Sequence, residues 1–78
     1  MKDLVFGDVI SLLWDGYRLA REGWNGVASG RSMWIELQVP DSHSKMTRPY
    51  IFMSTDGDRI PWVASHSDML ARDWFVVE

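Results

Sequence analysis

The sequence predicts a small α+β domain, in which an antiparallel sheet is joined by one N-terminal helix and one short helix before the last strand. Three observations predict this fold. Apolar residues near the N-terminus recur at helical spacing, later runs of aromatic and β-branched residues are separated by turn signals, and Ser65-His66-Ser67-Asp68 has the spacing of a capping box. A chain of 78 residues has room for one compact domain, which we place over residues 1–78.

The first helix is predicted over residues 6–15. Asp8 lies in its first turn, where a negative charge complements the helix dipole. Gly16 is well placed to end the helix, because glycine adopts the positive φ that a helix C-terminus often requires. Trp14 belongs to the apolar stripe and is therefore predicted to lie in the core. The stripe comprises Phe6, Val9, Ile10, Leu13, Trp14 and Tyr17.

Five runs are predicted to form strands, and polar loops separate them. Asp56-Gly57 predicts a tight hairpin turn between the third and fourth strands, and Pro61 indicates that the fourth strand lies at an edge of the sheet. Ser65 and Asp68 predict the start of a short helix that runs through Ala71. The strands cover residues 17–21, 33–39, 49–53, 59–63 and 74–77, and the main loops cover 25–32 and 40–48.

The composition excludes several of the ways in which so small a domain is usually stabilised. The chain contains no cysteine, which excludes disulfides and thiolate metal sites. His43 and His66 have no regular ligand spacing, so we expect neither a metal nor a cofactor. A domain of this size buries only about 60% of the surface of its unfolded chain, so oligomerisation is the expected source of further stability. The five tryptophans exceed what such a core easily encloses, so some are expected at an interface or in a pocket.

The charge balance limits the partners. A net charge of −3 with no basic run argues against nucleic acid, because polyanion binding depends on clustered lysines and arginines. A small anionic ligand held by one or two arginines is compatible with this charge. No stretch approaches the ~18 apolar residues of a membrane span, and the N-terminus lacks the apolar core of a signal peptide. We therefore expect a cytoplasmic protein with no membrane partner.

The sequence also lacks the motifs of common enzyme active sites. It has no glycine-rich phosphate loop, dinucleotide-binding fingerprint or nucleophile elbow. Neither histidine is placed by the sequence to activate a serine nucleophile. Asp56 and Asp58 flank a turn glycine, and solvated turn carboxylates explain this pair more simply than catalysis does. We therefore expect a protein that is not an enzyme.

Binding of a nucleotide-like molecule requires flat apolar faces, hydrogen-bonding groups and a cation for phosphate, and three segments contain such groups. Gly23-Trp24-Asn25-Gly26 places an indole in a turn. Arg48-Pro49-Tyr50 places a guanidinium beside a phenol. Trp62 follows Pro61 and comes just before a helix N-terminus, whose free amides suit anionic oxygens. The sequence thus offers candidate binding residues without a specific binding motif.

Each candidate has a structural alternative. For Trp24 and Trp62, a place in the core and a place in a pocket fit the sequence equally well, and Trp62 also fits packing on the N-terminal helix. Trp34 and Trp74 lie within strands and are expected in the core or at a subunit interface. Arg48 fits a solvated loop position as well as a phosphate contact.

Several segments, spread in order along nearly the whole chain, resemble a known family of small phage and prophage proteins. The longest shared block is Pro-Trp-x-Ala-Ser-x-x-Asp-Met-Leu-Ala-x-Asp-Trp, which begins at Pro61. On these segments the chain resembles the second type of Thoeris anti-defence protein. They are Phe6-Gly7-Asp8, Gly23-Trp24-Asn25-Gly26, Glu36-Leu37-Gln38-Val39-Pro40-Asp41, Ser44-Lys45-Met46-Thr47-Arg48-Pro49-Tyr50, Pro61-Trp62-Val63-Ala64-Ser65, Asp68-Met69-Leu70-Ala71 and Asp73-Trp74.

The resemblance implies a molecular sponge. Proteins of this kind bind, without cleaving, cyclic ADP-ribose isomers made by Thoeris TIR enzymes, and they assemble as homotetramers with ligand pockets between subunits. Some relatives also hold cyclic oligonucleotide signals in separate sites. At matching positions, Trp24 and Trp62 are expected to stack on flat groups of the ligand. Asn25, Ser65 and Asp68 are expected to hydrogen-bond base or ribose edges, and Arg48 and Tyr50 to border the phosphates.

Two features keep other interpretations open. The loop at residues 27–32 looks longer than is usual in the family, so ligand preference can differ, and Arg31 is a candidate for a further phosphate contact. Exposed tryptophans also fit a protein–protein interaction module that inhibits a host protein. An enzyme that cleaves the same signal is the third alternative.

Overall fold

The computed structural model describes residues 1–25 and 33–77. The predicted α+β class is confirmed: two helices accompany a five-stranded antiparallel sheet. The loop at 27–32, with Arg31, lies outside the described residues, as does the side chain of Asn25. The elements in chain order are α1 (Phe6–Trp14), β1 (Arg18–Arg21), a 3₁₀ turn (Glu22–Asn25), β2 (Met33–Gln38), β3 (Tyr50–Thr55), β4 (Asp58–Pro61), α2 (His66–Leu70) and β5 (Trp74–Val77).

The end of α1 shows why the chain turns there into the sheet. Gly16 has a φ of +92°, a backbone conformation that side chains with a Cβ rarely adopt. Its N–H donates to the Leu13 carbonyl at 3.0 Å, and the Tyr17 N–H donates to the Leu12 carbonyl at 3.1 Å. This pair of bonds is a Schellman motif, which satisfies carbonyls left free at the helix end. The prediction that Gly16 ends the helix is confirmed.

The sheet has the order β4-β3-β2-β1-β5. The β3–β4 hairpin turns through Asp56 and Gly57, with φ values of +49° and +90°. Positive φ at both central residues is typical of the tight turns that match strand twist, so the predicted Asp-Gly turn is confirmed. Strand β4 lies at one edge, as Pro61 indicated.

The N-terminal residues cover the other edge of the sheet, outside β5. The Leu4 N–H donates to the Trp74 carbonyl at 2.9 Å, and the Trp74 N–H donates back to Leu4 at 3.3 Å. The Val76 N–H donates to the Met1 carbonyl at 3.0 Å. Backbone groups that an edge strand would leave open are thereby paired within the chain.

The core lies between α1 and one face of the sheet. Leu19 pairs with Ile35, and Ile35 pairs with Met53, so these three side chains share that face. They pack with Val9 and Leu13 of α1 and with Trp74 of β5. The opposite face, called the outer face below, carries the alternate residues, among them Arg18, Trp34, Glu36, Phe52 and Arg59.

The prediction that Trp14 lies in the core is wrong. Trp14 is 60% exposed, and Ile10, one turn earlier, is 36% exposed. Helix α1 packs against β1 and β2 through Val9 and Leu13, and positions 10 and 14 lie about 100° further round the helix. The apolar stripe is thus wider than the surface that the sheet covers. Its outer flank stays at the surface of the protomer.

Candidate functional site

Four aromatic rings form a cluster at one end of the core. Trp74 is at its centre and is fully buried. Its ring centroid lies 5.1 Å from that of Trp24, 6.1 Å from that of Trp62 and 5.8 Å from that of Phe6. The edge-on and tilted arrangements are those that aromatic quadrupoles favour. These four residues, Phe6, Trp24, Trp62 and Trp74, are called the tryptophan cluster below.

Trp24 and Trp62 meet within one protomer. Their ring centroids are 6.1 Å apart at 70°, and both indoles are half-buried against the core. The contact of Trp62 with Phe6, at 6.4 Å, confirms that Trp62 packs on the N-terminal helix. The core and pocket alternatives for these tryptophans are therefore not exclusive. Each has one side on the core and one side toward the surface, and their stacking on a ligand stays a prediction.

Two clefts open beside Trp62. Cleft A has a volume of about 440 Å³, and cleft B of about 340 Å³; both are within the range of small-molecule sites. Tyr50, Ile51 and Trp62 line both, so these residues form the ridge between them. The other residues of cleft A are Gln38, Met46, Phe52, Arg59, Ile60 and Pro61. The other residues of cleft B are Ile10, Leu13, Trp14, Leu37 and Pro49.

Cleft A combines aromatic walls with a cation. The guanidinium of Arg59 lies over the Phe52 ring, 5.8 Å from its centroid, within the range of a cation–π contact. The Tyr50 ring is 6.5 Å from that of Phe52. Gln38 adds a side-chain amide, whose Nε2 donates to the Val39 carbonyl at 3.3 Å. Flat walls, an amide and a guanidinium are the groups that suit a planar, anionic ligand.

Cleft B is of a different chemical kind. Helix α1 forms one wall through Ile10 and Trp14, and Pro49 contributes from the chain just before β3. Its described lining side chains carry no charge, and their polar atoms are the Tyr50 hydroxyl and the indole N–H groups of Trp14 and Trp62. The exposed indole of Trp14 therefore extends an apolar surface from the cleft onto the helix.

The start of α2 holds Ser65 and Asp68 in a capping box, as predicted. The Asp68 N–H donates to Ser65 Oγ at 3.1 Å, and the Ser65 N–H donates to Asp68 Oδ2 at 3.0 Å. Ser65 Oγ also lies 2.9 Å from the same oxygen and donates its proton to it. These bonds satisfy backbone groups that a helix N-terminus leaves open.

Arg21 connects this capping box to the sheet. Its Nη1 donates to Asp68 Oδ1 at 2.9 Å, and its Nε donates to Asp73 Oδ1 at 3.1 Å. The buried Trp74 indole donates from Nε1 to the Asp68 carbonyl at 3.0 Å. Both carboxylate oxygens of Asp68 thus have partners within the protomer. The network fixes α2 against β1 and β5.

The pKa of Asp68 reflects this environment. Burial raises it, but hydrogen bonds from Ser65 and from the Arg21 guanidinium outweigh burial and hold the pKa of the carboxyl below its usual range. The hydrogen bond to Asp68, opposed by partial burial, raises the pKa of Arg21. Asp68 is therefore a stable anion that is a weak proton acceptor at neutral pH.

The structure brings some predicted site residues together and leaves others apart. Tyr50 and Trp62 both line the two clefts. Arg48 is exposed in the loop before Pro49, and the backbone of Asn25 belongs to the 3₁₀ turn. Ser65 and Asp68 have the capping contacts described above. Their ligand roles stay predictions.

Sequence reasoning missed Arg59 and Gln38, which line cleft A. The Asp-Gly turn contains the information needed to find Arg59, because the turn sets the register of the β3–β4 hairpin. In that register Arg59 pairs with Ser54, and Pro61 pairs with Phe52. Alternation along β4 then places Arg59 and Pro61 on the same face of the sheet as Phe52. Gln38 joins them because it pairs with Tyr50 across β2 and β3.

Within residues 1–25 and 33–77, no group of three or more histidine, aspartate or glutamate side chains is arranged to hold a metal ion. No helix in the same described part of the chain has the length and apolar character needed to cross a membrane. The candidate site consists of the two clefts and the tryptophan cluster, which includes Trp62 of their shared ridge.

Comparison with known proteins gives two agreeing results. A family model described as the Thoeris anti-defense 2-like domain matches residues 4–77. A phage protein named "Thoeris anti-defense 2", from Bacillus phage SP01, is 30% identical over 86 residues, and the alignment covers 92% of this chain and 92% of the relative. Both matches run through all the elements that form the clefts.

Proposed function

This chain belongs to the Thoeris anti-defense 2-like family, and from that premise we propose that it is a phage anti-defence sponge. In this proposal it binds and sequesters, without cleaving, a cyclic ADP-ribose-type signalling nucleotide made by bacterial TIR-domain immune enzymes. The Thoeris effector then stays inactive. The protein acts in the cytoplasm of the infected cell, where the signal is made.

One observation carries this proposal: an aromatic ridge stands between two clefts, one of which holds a guanidinium. Tyr50 and Trp62 contribute aromatic surface to the lining of both clefts, and Arg59 contributes positive charge to the lining of cleft A. A sponge must compete with an effector for its ligand. A Kd near 1 nM corresponds to about −12 kcal/mol, which is a large demand on one small molecule. Ring stacking combined with a charge-assisted phosphate contact is suited to that demand.

The chemistry of Asp68 supports binding without cleavage. A general base needs a pKa near the working pH and a free lone pair directed at the substrate. Asp68 instead has a lowered pKa, and both of its oxygens accept hydrogen bonds from Ser65 or Arg21. A carboxylate held in this way stabilises α2 and is poorly suited to remove a proton.

Features of the protomer surface support assembly into a homotetramer with pockets between subunits. The N-terminal residues pair with β5 at one edge of the sheet, and the edge strand β4 is short and contains Pro61. Pairing with a strand of another subunit is therefore unfavourable at both edges. Subunits would then associate through side-chain surfaces. The apolar flank at Ile10 and Trp14 borders cleft B and offers such a surface. A second subunit placed there would deepen the site on one side of the aromatic ridge.

Mass spectrometry of the small molecule retained by the purified chain tests the proposed function. The chain is incubated with the product of an activated TIR enzyme, separated from unbound material and heated to denature it. We expect the heated sample to release the signal with its mass unchanged. A hydrolysed product would support an enzyme, and a signal left wholly in the unbound fraction would contradict the sponge.

The second candidate function is a protein–protein interaction module that inhibits a host protein. Val63 and Leu70 favour it, since these apolar residues are 88% and 81% exposed on the protomer. A stoichiometric host protein recovered with the purified chain, together with no thermal shift from the TIR product, would favour this module. Loss of that partner in a Leu70→Ser variant would locate the contact on α2.

A further inference from the structure

We propose that cleft A, rather than cleft B, holds the anionic part of the ligand, and that Arg59 is the residue that binds it. This inference rests on the proposed function, because it assigns the ligand of that function to one of two adjacent clefts. The ligand class is a nucleoside with a phosphate or diphosphate group. Its base would lie against the aromatic ridge, and its phosphate would lie at the β3–β4 hairpin.

The two clefts differ in charge. Arg59 is the charged side chain among the described residues that line cleft A, while the described lining of cleft B carries none. Moving a phosphate from water into an apolar cleft without a cation is costly. An anionic ligand therefore favours the cleft that contains the guanidinium.

Arg59 is held against an aromatic ring. Its guanidinium lies over the Phe52 ring at 5.8 Å, and the ring orients the planar group without occupying its N–H donors. Phe52 is itself almost completely buried between β2 and β4, so the surface beneath Arg59 is rigid. A cation already oriented in this way loses less conformational freedom on binding than a free loop arginine does.

The strand register sets the order of the groups across cleft A. Tyr50 and Phe52 alternate along β3, and Gln38 stands beside Tyr50 on the neighbouring strand. On the other side, β4 leads from Arg59 to Pro61 and then to Trp62. An indole, a phenol, an amide and the Arg59 guanidinium thus line one cleft. Glu36 lies on the same outer face but accepts a hydrogen bond from the Trp34 indole at 2.7 Å.

The test is isothermal titration of the full chain with ADP-ribose and with adenosine, which share the base and differ in the diphosphate. An Arg59→Gln variant should bind ADP-ribose at least about tenfold more weakly, the loss expected for one charge-assisted hydrogen bond. Its adenosine affinity should change less than about threefold, because the ring surfaces are kept. Arg18→Gln is the matched control, since Arg18 also lies over an aromatic ring of the outer face, 5.2 Å from the Trp34 centroid, but is not among the residues that line cleft A; it should leave both affinities close to wild type.

Three outcomes would overturn the inference. They are an equal loss of ADP-ribose affinity in Arg18→Gln and Arg59→Gln, an equal loss of both probes in Arg59→Gln, and no ADP-ribose binding by the wild-type chain. Thermal melts of the variants show whether each is folded, and Arg59→Lys provides a second variant if Arg59→Gln is unstable. Failure here is distinct from failure of the proposed function. If the chain retains the intact TIR product without needing Arg59, the sponge function stands and only the assignment of the anionic group to cleft A fails.

Discussion

Replacement of Trp74 by phenylalanine tests whether the tryptophan cluster organises the fold. The indole of Trp74 is fully buried and contacts Phe6, Trp24 and Trp62. Its Nε1–H is also the donor to the Asp68 carbonyl at 3.0 Å. The substitution keeps an aromatic ring, but it removes that donor and part of the buried ring surface.

The expected loss of stability has two parts. An unsatisfied buried carbonyl costs about 1–3 kcal/mol, and the lost ring atoms cost roughly 1–2 kcal/mol at about 0.8 kcal/mol for each buried CH₂ equivalent. A total near 3 kcal/mol is a large share of the stability of a small domain. At about 4–8 °C per kcal/mol for a domain of this size, Tm should fall by roughly 12–24 °C.

Thermal and urea unfolding followed by circular dichroism measure the effect, with Trp14→Phe as the matched control. Trp14 is 60% exposed, so the same exchange there should change the free energy of unfolding by less than about 1 kcal/mol. Equal Tm shifts in the two variants would refute the reasoning. They would mean that Trp74 is no more important to the fold than a surface indole.

Three further predictions concern the helix ends and the Arg21 network. Gly16→Ala should destabilise the chain by about 1 kcal/mol, because φ is +92° there. Gly7→Ala should stabilise it by up to about 0.5 kcal/mol, since a Cβ at Gly7 meets nothing within 4 Å. If urea unfolding shows changes of the same sign in the free energy of unfolding for both variants, the assigned backbone is contradicted. Ser65→Ala should cost about 1 kcal/mol by loss of the N-cap, and Ser65→Thr should recover most of it; equal melts of the two variants would exclude the cap. Because the pKa of Asp68 is lowered in the folded chain, its carboxylate stabilises the fold above the ordinary carboxyl pKa of about 3.9, and this stabilisation is lost as pH falls through the lower folded pKa. In that acid range, the urea midpoint should therefore decrease more steeply for wild type than for Asp68→Asn. Parallel pH profiles of the two proteins would contradict the network.

The sequence predicted the local elements well because their signals are local. The helix end at Gly16, the Asp-Gly turn and the Ser65–Asp68 capping box each depend on residues within a few positions of one another. Short-range backbone rules therefore suffice to predict them. The number and approximate positions of the strands followed from the same kind of signal.

Non-local features were harder to predict. Periodicity placed Trp14 on an apolar stripe, but the width of the face that the sheet covers depends on how α1 lies across β1 and β2, and the indole was left exposed. The ion pairs of Arg21 join residues 47 and 52 positions apart, and no spacing rule connects them. Such pairs become visible only when β5 is known to lie beside β1.

In the candidate site, too, some residues were predictable from the local sequence and others depended on contacts between distant residues. Tyr50 and Trp62 were identified from the sequence as candidate binding residues, and both line the two clefts. Strand register, which the sequence left undetermined, places Arg59 in the lining of cleft A, and the phosphate contact expected of Arg48 stays a prediction. Residue type indicated the kind of site, and the register of the sheet determined which residues line it.

The most direct test of the central claim is the mass of the molecule that the purified chain releases on heating after exposure to an activated TIR enzyme. A sponge returns the cyclic nucleotide intact and in stoichiometric amount. Release of a cleaved product, or an unloaded chain beside an undiminished pool of the signal, would contradict the account.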